Sequence, residues 1–288
     1  MTFPSDILAI DLMLNIPGED QTSWYEFMRP LFLDEGSRNY AKMPAEYMFR
    51  NIPEIDPQSD YIEYTVAEMD KWGVERAMLG ISEENHVALE AIKRYPNRFF
   101  ASLGVNPNNA MDEVRRIERF KRDYDIKALT AFPCGLVPQV PINDKRFYPV
   151  YAKAVELDLP ICVTAGIPGP RLPAEPQKVE YIDEVCWFFP ELKFVMRHGG
   201  EPWTDLAVKL MLKYPNLYYS TSAFAPRHYP KAIIDYANTR GADKIMYAGY
   251  FPMGLSLERI FTDMKRVPFK AEVWPKFLRD NAIRVFKL

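Results

Sequence analysis

The chain has 288 residues, 48% of them hydrophobic and 26% charged, and a net charge of −3. That balance belongs to a globular protein with a sizeable core; it leaves no basic footprint for nucleic acid, and no apolar run is long enough to span a membrane. Cys134, Cys162 and Cys186 are an odd number without paired spacing and the first residues carry no signal-peptide pattern, so reduced thiols and a cytoplasmic protein are expected.

Short apolar runs alternate with amphipathic stretches along nearly the whole length, the pattern of βα units around a parallel sheet. The runs fall at residues 8–13, 76–81, 99–104, 126–131, 160–164, 192–196, 217–221 and 244–248. Between them, stretches such as 61–71 and 111–120 repeat apolar residues three or four apart and predict helices, with Ser59-Asp60 as a start signal for the first. Eight such units predict one (β/α)8 barrel domain over residues 1–288. Residues 272–288 read as a closing helix packed outside the barrel. Residues 16–58, between the first strand and its helix, hold Trp24, Tyr25, Phe27, Phe32, Tyr40, Tyr47 and Phe49; a loop of that length predicts a cap over the barrel mouth. A surface excursion with its own small core is the alternative.

Barrel enzymes place their chemistry at the C-terminal strand ends. The polar candidates lie in Ala9-Ile-Asp-Leu-Met-Leu-Asn15, Pro160-Ile-Cys-Val-Thr-Ala-Gly166, Phe194-Val-Met-Arg-His-Gly-Gly-Glu-Pro-Trp203 and Lys244-Ile-Met-Tyr-Ala-Gly-Tyr-Phe-Pro252. Residues two apart share a strand face. If Asn15 points inward, Met13 and Asp11 do too, while Thr164 aligns with Cys162, His198 with Met196, Ser222 with Ser220 and Tyr250 with Ala248. The expected mouth is a ring of Asn15, Thr164, His198, Ser222 and Tyr250 above Met13 and Cys162, with Arg197 facing outward.

His198, beside Gly199-Gly200, is the expected general acid or base, titrating near neutral pH; a structural histidine is the alternative. Tyr250 suits a hydrogen bond to a developing oxyanion, or else fills space. Arg171, in the loop after the fifth strand, offers a clamp for a carboxylate or phosphate, and Arg227 and His228 are similarly placed. Cys134 is a nucleophile only with a base close by. No phosphate-binding glycine loop, nucleophile elbow or paired-cysteine motif is present.

These strand ends, together with Arg146-Phe-Tyr-Pro-Val-Tyr-Ala-Lys-Ala-Val-Glu-Leu-Asp-Leu-Pro160 and Asn281-Ala-Ile-Arg-Val-Phe286, resemble the amidohydrolase-related family that contains the aminocarboxymuconate-semialdehyde and resorcylate decarboxylases. The resemblance spans almost the whole chain. It implies an α/β barrel and an enzyme that decarboxylates, hydrolyses or hydrates small, often aromatic or unsaturated carboxylic acids, usually with one divalent metal. By that resemblance Met13 and Asn15 stand where the first two histidine ligands belong, Thr164 for the third and Tyr250 for the aspartate, leaving His198 alone. Thioether, amide and neutral hydroxyl are poor ligands, so no metal and no cofactor are expected. The reading is a metal-independent lyase, decarboxylase or hydrolase with a small-molecule substrate. A catalytically silent binding protein on the same fold and a metal-dependent hydrolase are the alternatives; homo-oligomer formation is left open.

Overall fold

The computed structural model describes residues 3, 4 and 6–288. Eight parallel strands run side by side in chain order: β1 (Ala9–Asp11), β2 (Val74–Ile81), β3 (Phe99–Gly104), β4 (Ala128–Ala131), β5 (Ile161–Thr164), β6 (Phe194–Arg197), β7 (Leu217–Ser220) and β8 (Ile245–Met246). Each lies in or overlaps one of the apolar runs, as a sheet buried on both faces requires. Beyond the last regular pairing, Leu14 bridges Phe251 in parallel, with the Asn15 N–H donating to the Phe251 carbonyl at 2.9 Å, which brings the first and last strands together into a (β/α)8 barrel.

Asp11 reinforces that seam. Its carboxylate is fully buried and accepts from the Gly249 N–H at 2.7 Å, the Met13 N–H at 2.9 Å and the Tyr247 hydroxyl at 3.0 Å. It therefore does not share the mouth with Met13 and Asn15 as strict alternation requires. β1 ends at Asp11, and the chain bends through Leu12 and Met13, so the two-residue period stops there.

The outer helices follow their apolar spacing. The helix Tyr61–Trp72 starts on Asp60, whose side chain accepts from the Ile62 and Glu63 N–H groups. It buries Ile62, Thr65, Val66 and Met69, and stops at Gly73, whose φ of 70° suits a residue without a Cβ.

The C-terminal helix Asn281–Phe286 departs from its expected place outside the barrel. Ala282, Val285 and Phe286 join the cluster of inward-pointing residues, including Ile10, Met78 and Phe100, with the Phe286 and Phe100 rings 6.3 Å apart. Phe100 is the second residue of β3 and pairs in register with Met78, so the helix packs beneath the inward layer and plugs the barrel floor.

Residues 16–58 contain the short helical segments Thr22–Leu31, Glu35–Arg38 and Glu46–Met48. Met28 and Phe32 pack with Cys134 and Leu172, and Met43 and Ala45 with Met253, so the segment's apolar residues are shared with loops of the barrel's C-terminal face. The Tyr47 hydroxyl donates to the Gly169 carbonyl at 2.6 Å, and Arg259 donates to the Arg50 carbonyl at 2.6 Å.

Candidate active site

A cavity of about 1090 Å³ occupies the C-terminal end of the barrel. Met13, Asn15, Thr164, His198 and Tyr250 line it, joined by Trp24, Tyr25, Met43 and Phe49 from residues 16–58. Arg197 lines it as well, against the outward orientation read from the sequence. The reason lies in β6. Val195 belongs to the inward cluster and Met196 to the layer between sheet and helices, so Arg197 is the inward residue. It pairs in register with Thr164, which follows inward Cys162 by two.

His198 reaches the same cavity because the strand has ended. Its φ of 60° is left-handed, and the reversal turns its side chain back toward the mouth. Gly199 follows at φ 89°, and a Cβ there would lie 2.5 Å from the Phe224 ring. The sharp turn thus sets a guanidinium and an imidazole side by side.

Ser222 does not line the cavity; it holds the imidazole from behind. Its Oγ accepts from the His198 backbone N–H at 3.1 Å and lies 3.0 Å from His198 Nδ1. With that acceptor role filled, the hydroxyl hydrogen points most naturally at Nδ1, an assignment that leaves the hydrogen on Nε2. Burial and the adjacent Arg197 push the imidazole down to about 3, so it is neutral at physiological pH. Tyr250 meets it edge to face, with ring centres 5.8 Å apart, and stacks on Phe49 at 5.5 Å. Burial pushes the Tyr250 phenol up to about 12, so it keeps its proton.

Among the described residues, no side chain hydrogen-bonds or ion-pairs with the Arg197 guanidinium. Burial draws its pKa down, and the groups that act on it do so only through charge: Cys162, Tyr250 and Asp11. A half-buried cation without a partner, facing a cavity, is an anion site in chemical terms.

Besides Ser222, two more candidates fall outside the cavity wall. The Cys134 side chain is completely buried, Sγ donates to the Pro173 carbonyl at 3.0 Å, and burial pushes the thiol up to about 12, so no thiolate is available for attack. Arg171 pairs with Asp34 at 3.4 Å and lies 5.0 Å above the Tyr47 ring, tying the loop after β5 to residues 16–58. Arg227 and His228 do line the cavity; Arg227 is 3.7 Å from Asp263 and donates to His228 Nε2 at 3.1 Å.

The residues present do not fit a divalent metal. Among the described residues, no group of three or more histidine, cysteine, aspartate or glutamate side chains converges on one point. Both Asp11 oxygens are engaged in the β1–β8 seam, His198 Nδ1 faces Ser222, and the Arg197 cation stands in the mouth.

Comparison with known proteins agrees with this architecture. The family model described as Amidohydrolase matches residues 33–288. No curated protein matches the chain. Among solved structures, an uncharacterized TIM-barrel protein from Bordetella bronchiseptica is 21% identical, covers 98% of this chain and 99% of its own, and superposes with a TM-score of 0.77. The 5-carboxyvanillate decarboxylase of Novosphingobium aromaticivorans, complexed with manganese and 4-hydroxy-3-methoxy-5-nitrobenzoic acid, is 18% identical over 98% of this chain and 97% of that one, with a TM-score of 0.69. A probable 2-pyrone-4,6-dicarboxylic acid hydrolase from Acinetobacter baumannii, with citric acid bound, is 14% identical over 98% of this chain and 100% of that one, with a TM-score of 0.67.

Proposed function

We propose that this chain, which belongs to the amidohydrolase family, is an enzyme that acts without a catalytic metal on a carboxylic acid with an aromatic or unsaturated body, by lyase or hydrolase chemistry at His198 and Tyr250. The observation that carries the reading is the unpartnered Arg197 guanidinium beside those two groups, in a family whose solved relatives include a decarboxylase and a probable hydrolase of aromatic or pyrone acids. A fixed cation in the mouth supplies what a divalent ion would otherwise supply for binding: attraction and orientation of a carboxylate.

Binding and proton transfer are coupled through charge. In the free protein burial, and after it the charge of Arg197, holds the neighbouring imidazole down. A carboxylate bound on the guanidinium offsets the Arg197 share of that shift and raises the His198 pKa, while burial continues to hold it below its ordinary value. Tyr250, protonated, donates a hydrogen bond to an oxygen that gains charge during reaction. The carboxylate on Arg197 is not itself the group lost: decarboxylation moves charge out of the departing carboxylate, so a cation there favours the ground state over the transition state. Arg197 anchors, and bond breaking takes place elsewhere on the substrate. Tyr250→Phe, which keeps the ring and its stacking on Phe49, is expected to lower kcat about 10–10³-fold without loss of thermal stability; unchanged kcat assigns the phenol to space filling.

The low His198 pKa also favours a competing reading, a binding protein without turnover. Chelation and turnover assays on a panel of aromatic and unsaturated carboxylic acids separate the readings. Turnover that survives a strong chelator, with far less than one divalent metal per chain by elemental analysis, is the expected result. Stoichiometric zinc or manganese lost together with activity overturns metal independence, and binding without turnover of any acid leaves the silent relative.

A further inference from the structure

The cavity has more room than a single-ring acid needs. An apolar cavity of roughly 150 Å³ already takes benzene, and drug-sized ligands occupy roughly 300–1,000 Å³. At about 1090 Å³ this cavity lies just above that range. Its polar groups are unevenly distributed. Arg197, His198, Thr164 and Tyr250 gather at the C-terminal strand ends, from β5, β6 and the segment after β8.

Most of the remaining wall is apolar and contributed by loops, with Arg50, Asn106, Arg227, His228 and Arg259 among its polar members. Trp24, Phe27, Met43, Met48 and Phe49 come from residues 16–58, and Leu136, Val137 and Phe224 from the barrel loops. Phe27, Met48 and Val137 combine a place on that wall with 54%, 61% and 49% exposure, so the apolar surface continues from the strand ends to solvent. Methionine and aromatic side chains together make an adaptable lining, suited to a long or multi-ring body of variable shape. Glycines keep the wall thin: a Cβ on Gly135 would lie 2.3 Å from the Phe132 ring and 3.0 Å from Phe27, and one on Gly169 would lie 3.0 Å from Ala45.

We infer that the substrate is an extended amphipathic acid, with one carboxylate on Arg197 and an apolar body of two or more rings, or an equivalent chain, along the wall made by residues 16–58. This rests on the carboxylate-anchoring reading of Arg197 and adds the size and polarity of the body attached to that carboxylate.

The test measures calorimetric affinities of the full chain for benzoate, biphenyl-4-carboxylate and dodecanoate, and for the uncharged counterparts biphenyl-4-carboxamide and dodecanol. Burying a second ring or a long chain is expected to tighten binding at least tenfold relative to benzoate. Arg197→Met is expected to weaken every acid at least tenfold and leave the uncharged compounds unchanged, while Arg197→Lys recovers part of the loss; thermal melting of both variants controls for folding. Met48→Trp, at the solvent end of the wall, is expected to weaken the long acids selectively. Benzoate binding as tightly as the long acids overturns the extended substrate and spares the anchor. Long uncharged compounds binding as well as the acids, with Arg197→Met silent, overturns the anchor and spares the apolar channel. No binding by any compound overturns both.

Discussion

His198→Gln is expected to lower kcat by roughly 10²–10⁴-fold, the usual contribution of a positioned proton donor or acceptor, while leaving the affinity for a carboxylate largely intact. Glutamine keeps a polar head against Ser222 but cannot exchange a proton. The pH dependence carries a sharper signature. A histidine at an ordinary 6.5 gives kcat/KM an acid limb near neutrality, as the sequence alone suggests. With the imidazole at about 3 in the free protein, kcat/KM for a substrate of fixed charge is expected to stay flat through neutrality and fall only in strong acid. The sign comes from the base form: neutral imidazole accepts the proton, so activity is lost as falling pH protonates it. In kcat, which reports the bound complex, the limb is expected at higher pH than in kcat/KM but still below 6.5, because the bound carboxylate cancels only the Arg197 share of the shift and burial remains. An activity indifferent to His198→Gln, with the same profile, makes the imidazole structural.

Arg197 and His198 mark how far the site was legible. Period-two alternation correctly turned Thr164, the last residue of β5, inward above Cys162, and Tyr250 inward above Met246 and Ala248, where the alternation runs on past the end of β8. It failed at β6, where inward and outward positions are both apolar, so Phe194-Val-Met carries no parity signal. Fixing the parity from His198 placed Arg197 outside. Both residues line the cavity because the left-handed turn at His198 lies past the strand end. A usable signal was present: Arg197 is the only charged residue among 194–198, and an outward arginine would need an acid on a neighbouring helix. Ser222, read from the sequence into the mouth ring, lies behind the imidazole instead, a placement that depends on the same turn. The eight strands were legible because a sheet buried on both faces writes itself as apolar runs. The floor helix was not, since Ala282, Val285 and Phe286 give an apolar stripe that fits equally against the outside of a barrel or beneath it.

Asp11→Ala is expected to destabilise the fold by about 3–5 kcal/mol, because it strands the Gly249 and Met13 N–H groups and the Tyr247 hydroxyl in the β1–β8 seam. Asp11→Asn should recover most of that loss: its Oδ1 can accept from both N–H groups, and its amide can donate to the Tyr247 oxygen. Gly249→Ala strains the same place, since a Cβ there would lie 2.5 Å from Asp11 Oδ2. Burial outweighs the hydrogen bonds to the carboxylate and raises Asp11 from 3.8 to about 6, so the folded protein holds this proton more tightly than the unfolded chain does. The contribution is therefore fully present below pH 3.8 and is lost as pH rises through about 6. His198, depressed to about 3, has the opposite sign: its contribution is present above 6.5 and is lost as pH falls. Subtracting the stability of Asp11→Asn from that of the natural chain, pH by pH, removes the histidine and isolates the carboxyl. That difference should move in favour of Asp11→Asn as pH rises from 4 to 7. A difference that stays flat, or turns toward the natural chain, means that the seam holds an ionised carboxylate at no cost and that its hydrogen bonds outweigh burial.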